Sequence, residues 1–69
     1  MKISARNQLK GIIREIKPGL VTAKLTIDIG GGNLLSSVIT MDSIDDLNLK
    51  EDDEVFAIIK STEVMIGKK

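Results

Sequence analysis

Leu20-Val21-Thr22-Ala23-Lys24-Leu25-Thr26-Ile27-Asp28-Ile29 is the stretch on which the fold turns. Val21, Ala23, Leu25, Ile27 and Ile29 fall on one face of an extended chain, and Thr22, Lys24, Thr26 and Asp28 on the other. Strict alternation of this kind is the period of a half-buried β-strand. Turn signals bracket it. Lys17-Pro18-Gly19 precedes it, with a proline to preset one turn position and a glycine to accept positive φ. Gly30-Gly31-Gly32-Asn33 follows, and reads as the loop of a hairpin into the next strand. A glycine run can also cradle phosphate, but that arrangement wants a following helix and a lysine, and here another strand follows.

Outward from this hairpin, the pattern predicts a first strand over Leu9 to Ile16 and a third over Leu34 to Met41. The third is apolar on both faces, with Leu34 and Val38 on one and Leu35, Ile39 and Met41 on the other. A fourth strand, Glu54 to Lys60, repeats this with Val55, Ala57 and Ile59 against Phe56 and Ile58. Between them, Asp42 or Ser43 can cap a short helix in which Ile44 and Leu47 share a face. A short fifth strand is expected at about Glu63 to Ile66. Three strands, a helix and two strands is the order of an OB-type five-stranded barrel, a mainly all-β domain occupying residues 1–69.

Such a chain needs reinforcement. Below roughly 70–80 residues one core seldom supplies more than about 3–5 kcal/mol. The 69-residue sequence has no cysteine for a disulfide and no histidine for a soft-ligand metal site. Self-association remains, and two strands that are apolar on both faces ask for cover from another subunit. A homo-oligomer is the expectation.

Ten basic and ten acidic residues cancel, so the broad positive footprint of a nucleic-acid binder is missing. Phe56, the lone aromatic, makes no stacking platform for single strands. No apolar run approaches the roughly 20 residues of a membrane span. The polar segment Met1 to Gln8 lacks the apolar region of a signal peptide, which makes the cytoplasm the expected compartment.

Nucleophilic catalysis lacks a base, because histidine and cysteine are absent. The acidic runs Asp45-Asp46 and Glu51-Asp52-Asp53-Glu54 read as a solvated helix face and a polar loop, without the spaced ligands and central glycine of a calcium loop. An enzyme is not expected. Anion binding has better material. Ser4-Ala5-Arg6-Asn7 precedes the first strand, Lys60-Ser61-Thr62 ends the fourth, and Thr40 and Ser43 bracket the helix start. Each cluster supplies hydroxyls, and two supply a cation, which is the donor set that a tetrahedral dianion wants. By composition alone the same residues read more readily as turn and cap hydroxyls with ordinary surface charges.

Ser4-Ala5-Arg6-Asn7-Gln8-Leu9-Lys10-Gly11, with Gly31-Gly32-Asn33, Ser37-Val38-Ile39-Thr40-Met41-Asp42-Ser43 and Lys60-Ser61-Thr62-Glu63-Val64-Met65-Ile66, resembles the molbindins, small molybdenum-pterin-binding proteins whose module is also called the TOBE or Mop domain. The resemblance covers essentially the whole chain. It implies an OB-like barrel, assembly as a hexamer built as a trimer of dimers, and molybdate or tungstate bound between subunits for storage and homeostasis. Carried over, Ser4, Arg6 and the backbone N–H of Ala5 would serve from one subunit, with Thr40, Ser43, Lys60 and Ser61 from its neighbour. The metal would be held as an oxyanion, with no metal ion site of its own. No aromatic or acidic floor for a pterin ring is visible in the sequence. An OB-type nucleic-acid module and a purely structural oligomerisation domain are the alternatives.

Overall fold

The computed structural model describes residues 1–69. Its elements in order are β1 (Asn7–Pro18), β2 (Thr22–Gly30), β3 (Asn33–Thr40), α1 (Met41–Leu47), β4 (Glu54–Ile59) and a single 3-10 turn (Ser61–Glu63). The four strands form one antiparallel sheet in the order β3-β2-β1-β4. The alternating stretch lies inside the sheet as expected. Ala23, Leu25 and Ile27 are buried, and they meet Ile39, Ser37 and Leu35 across the β2–β3 ladder. The hairpin loop carries positive φ at Gly31 and Gly32 (61° and 79°), the conformation of a two-residue turn matched to strand twist.

β1 changes phase partway along. Ile13 pairs with Ile27 and Ile16 with Leu25, which leaves Arg14 as an extra residue in a β-bulge. The bulge moves the inward positions of β1 from odd to even numbers, so that Ile13 is fully buried and Ile16 also packs against the core. Gly11 sits where β1 passes tightly against β2. A Cβ there would lie 2.6 Å from the Ile27 side chain and 2.9 Å from the Asp28 carbonyl oxygen.

Several boundaries differ from the sequence expectation. β1 runs through Pro18, and the turn falls later, closed by the Gly19 N–H donating to the Thr22 carbonyl at 2.9 Å. Leu20 and Val21 are therefore exposed turn residues, and Val21 does not join the buried face. Met41 begins α1 instead of ending β3, and the cap is Thr40, not Asp42 or Ser43: its Oγ1 accepts from the Ser43 N–H at 3.0 Å. The helix is anchored by buried Ile44. Lys60 lies just past β4.

The largest correction concerns the fifth strand and barrel closure. Glu63 belongs to the 3-10 turn, and Val64, Met65 and Ile66 continue without regular structure. Val and Ile favour strands only where a neighbouring strand offers a ladder and a surface. The turn leads the chain away from β4, no edge of its own chain meets it, and Met65 and Ile66 stand fully exposed. The sheet has four strands, and β3 and β4 remain unpaired edges.

The core is correspondingly small: Ile13, Ala23, Leu25, Ile27 and Ile44 are its buried apolar residues. Leu34, Val38, Phe56 and Ile58 face outward from the two edge strands and are exposed, as their place on the second face predicts. The accessible surface is 5693 Å², whereas a folded monomer of this mass is expected to show about 4,200 Å².

Candidate oxyanion site

Asn7 at the start of β1 pairs with Ile59 at the end of β4. That pairing carries the preceding segment Ser4–Arg6 alongside the following segment Lys60–Thr62. Between them lies a cleft of about 210 Å³ lined by Ser4, Ala5, Arg6, Lys60, Ser61 and Thr62. Two groups far apart in the sequence are thus neighbours within one chain. Lys60 and Ser61 reach the Ser4–Arg6 segment without help from a second subunit.

The cleft is electrostatically unbalanced. The ion pairs of the molecule are Lys10–Glu54, Arg14–Asp28, Arg14–Asp52 and Lys17–Glu15. Neither Arg6 nor Lys60 takes part in one, and no carboxylate is among the lining residues. The 3-10 turn that forms one wall is closed by the Glu63 N–H donating to the Lys60 carbonyl at 2.9 Å. Its leading N–H groups, on Ser61 and Thr62, have no partner within the turn, as at the start of any helix. Residues carrying two cations and three hydroxyls therefore line one small space. A tetrahedral dianion would find a donor for each of its oxygens there.

Thr40 and Ser43 do not join this cleft. Thr40 pairs with Thr22 at the end of the sheet where β1 finishes, opposite the end where Asn7 meets Ile59. The two hydroxyls are bonded to each other, with Thr40 Oγ1 donating to Ser43 Oγ at 2.9 Å. The Thr40 hydroxyl is thereby committed as donor and as acceptor, and only the Ser43 hydroxyl keeps a proton to offer. Sequence reasoning left Thr62 out of its site, although the run Lys60-Ser61-Thr62 was its signal. Gln8 Nε2 donates to the Ala5 carbonyl at 3.0 Å.

A second polar region lies on the outer face beside Gly11, where Lys10, Arg14, Asp28 and Glu54 border a shallow depression. Here charges are matched. Arg14 Nε lies 3.3 Å from Asp28, and Lys10 Nζ lies 3.4 Å from Glu54. The Gly30 N–H, bonded at 2.9 Å, and then the Arg14 guanidinium hold the Asp28 carboxyl below its ordinary range. A third concavity, about 330 Å³ between the β3 and β4 edges, is walled mainly by apolar residues such as Leu35, Ile39 and Val55. Asp, Glu, His and Cys side chains form no group of three or more suited to a metal ion. No helix is long and apolar enough to cross a membrane.

The TOBE domain family model matches residues 3–66. The chain belongs to the TOBE domain family. Molybdenum-pterin-binding protein 3 of Clostridium pasteurianum is 56% identical over 66 residues, which cover 96% of this chain and 97% of that protein. A molybdate-binding protein from Sporomusa ovata superposes with a TM-score of 0.91 at 44% identity, over 99% of this chain and all of the other. The cytoplasmic molybdate-binding protein ModG, solved with molybdate bound, matches 88% of this chain with a TM-score of 0.83 at 34% identity; the match spans 43% of ModG. The TOBE resemblance carried by the Ser4–Gly11 segment is thus matched by family and by fold, and the mainly β class agrees with these neighbours.

Proposed function

We propose that this protein binds molybdate or tungstate reversibly and serves to store and buffer the oxyanion in the cytoplasm. The observation that carries the reading is the cleft between Ser4–Arg6 and Lys60–Thr62, where two cations stand without carboxylate partners. Arg6 and Lys60 supply charge; Ser4, Ser61, Thr62 and the Ala5 N–H supply directed donors. Micromolar affinity requires about −8 kcal/mol. Charge-assisted hydrogen bonds contribute roughly 1.5–3 kcal/mol each before ordering costs, so this set suffices. No bond is made or broken, and no activated nucleophile is needed. The names of the Sporomusa protein and of ModG support molybdate as the ligand, and ModG's description supports a cytoplasmic setting.

The working form in this reading is a homo-oligomer, a hexamer built as a trimer of dimers, with the anion held at subunit interfaces. Support comes from about 1,400 Å² of surface beyond that of a typical monomer, an amount on the scale of a stable interface. Exposed Leu34, Val38, Phe56 and Ile58 supply its apolar part. Thr40 and Ser43, which lie at the far end of the sheet from their own chain's cleft, contribute from a neighbour, chiefly through the Ser43 hydroxyl.

Two measurements test this. Calorimetric titration with sodium molybdate, followed by molybdenum analysis of the dialysed protein, should find stoichiometric binding; a protein that binds none after soaking is a structural oligomerisation module instead. Sedimentation at micromolar concentration should find a hexamer, and a folded monomer there would refute the assembly.

A further inference from the structure

The Ser4–Arg6 segment supplies half of the proposed site, yet little holds it. It lies outside every strand and helix, and none of the backbone hydrogen bonds outside those elements involves residues 1–6. No ion pair fixes Arg6. One side-chain hydrogen bond touches the segment: Gln8 Nε2 donates to the Ala5 carbonyl oxygen at 3.0 Å. Gln8 itself is firmly placed, inside β1 and paired with Ile58 of β4. The bond is therefore a tether from the rigid sheet back to the centre of the Ser4-Ala5-Arg6 tripeptide. It has a second consequence. A free carbonyl oxygen at Ala5 would repel an anion and would compete for the Arg6 guanidinium; bonded to Gln8, that oxygen is occupied.

We infer that Gln8 is a positioning residue for oxyanion binding: by holding the Ala5 carbonyl, it presets Ser4–Arg6 in the conformation the anion meets. The inference rests on the binding role proposed above. Ordering a three-residue segment before the ligand arrives removes that cost from the binding step. The tether is solvent-exposed and neutral, so its effect is modest, and it acts without adding charge.

Gln8→Met keeps the length of the side chain and removes the donor. Titrated with sodium molybdate, this variant should bind about threefold more weakly, by the same factor at low and high salt, because no charge is lost. Arg6→Ala, in contrast, should flatten the salt dependence. Backbone ¹⁵N relaxation of the unliganded protein should show greater ps–ns mobility at Ser4–Arg6 in Gln8→Met, with the melting temperature and oligomeric state unchanged. Equal affinity and equal mobility in variant and wild type would overturn the role of Gln8 alone. Failure of the wild type itself to bind molybdate would overturn the site, and this role with it.

Discussion

Arg6 and Arg14 belong to the same strand and its lead-in, and Lys10 and Lys60 lie on the same pair of neighbouring strands or just past them. Their surroundings are opposite. Around Arg14 the β-bulge turns a guanidinium toward Asp28 and Asp52, and Lys10 has Glu54 across the ladder. Each cation there has a carboxylate partner, and the carboxylates outnumber the cations by one. At the end of the sheet, Arg6 and Lys60 line one cleft with hydroxyl residues and no carboxylate. The difference teaches that charge alone does not mark an anion site. The proposed site differs in having a pair of cations that the chain leaves without a counter-ion, beside hydroxyls with no hydrogen-bond partner in the chain.

Removing the unmatched charges should produce the largest effect. Arg6→Ala or Lys60→Ala should each weaken molybdate binding at least about tenfold, and the double variant more than about a hundredfold, since each loses a charge-assisted bond of roughly 1.5–3 kcal/mol. Lys10→Ala and Arg14→Ala should change affinity less than about twofold. Calorimetric titration across the set decides the matter, and equal losses at both regions would erase the distinction between them. A sharper version converts one region into the other. Thr62→Asp places a carboxylate in the cleft beside Lys60, as Asp28 stands beside Arg14, and should cost about tenfold in affinity while leaving the fold intact by circular dichroism.

The matched region should respond in stability instead. Asp28 titrates below its ordinary value of 3.8, chiefly through the Gly30 N–H and next through Arg14. A lowered folded value means that the ionised carboxylate stabilises the fold at neutral pH, and that this stabilisation is lost as pH falls through the lowered value. Asp28→Asn should therefore melt slightly below the wild type at pH 7, with the gap closing below pH 3.8 and molybdate affinity unaltered at pH 7. Thermal melts in a pH series check it; a gap that widened toward acid would reverse the sign and refute it. The smallest effect expected is that of pH on binding. With neither histidine nor cysteine in the chain, affinity should vary less than about twofold between roughly pH 6 and pH 9 at constant ionic strength. A steep fall at pH 8 would mean that a proton is lost from the site.

Much of the fold was legible in residue order. The alternation of Val21 to Ile29, the glycine run after it and the double-faced third and fourth strands identify the hairpin, the all-β class and the exposed apolar edges, because side-chain period and turn chemistry are local properties. The Ser4–Gly11 and Lys60–Ile66 segments identify the family for a similar reason: they are contiguous runs of particular residue types. Other features depended on contacts that no local pattern reports. The rephasing of β1 at Arg14 was not legible, because a bulge is set by register with β2. The fifth strand failed because a strand exists only where another edge meets it, and Val64 to Ile66 meet none in their own chain. For the site, the sequence determined which residues carry charge and hydroxyls. The tertiary structure alone decided how they are grouped. The Asn7–Ile59 pairing joins Arg6 to Lys60, the Thr22–Thr40 pairing carries Thr40 and Ser43 to the far end of the sheet, and Asp28 and Asp52 are spent on Arg14. Coulomb interactions weaken with distance and with intervening water, so whether a cation is free or neutralised is settled by neighbours within a few ångströms, and those neighbours are chosen by strand pairing.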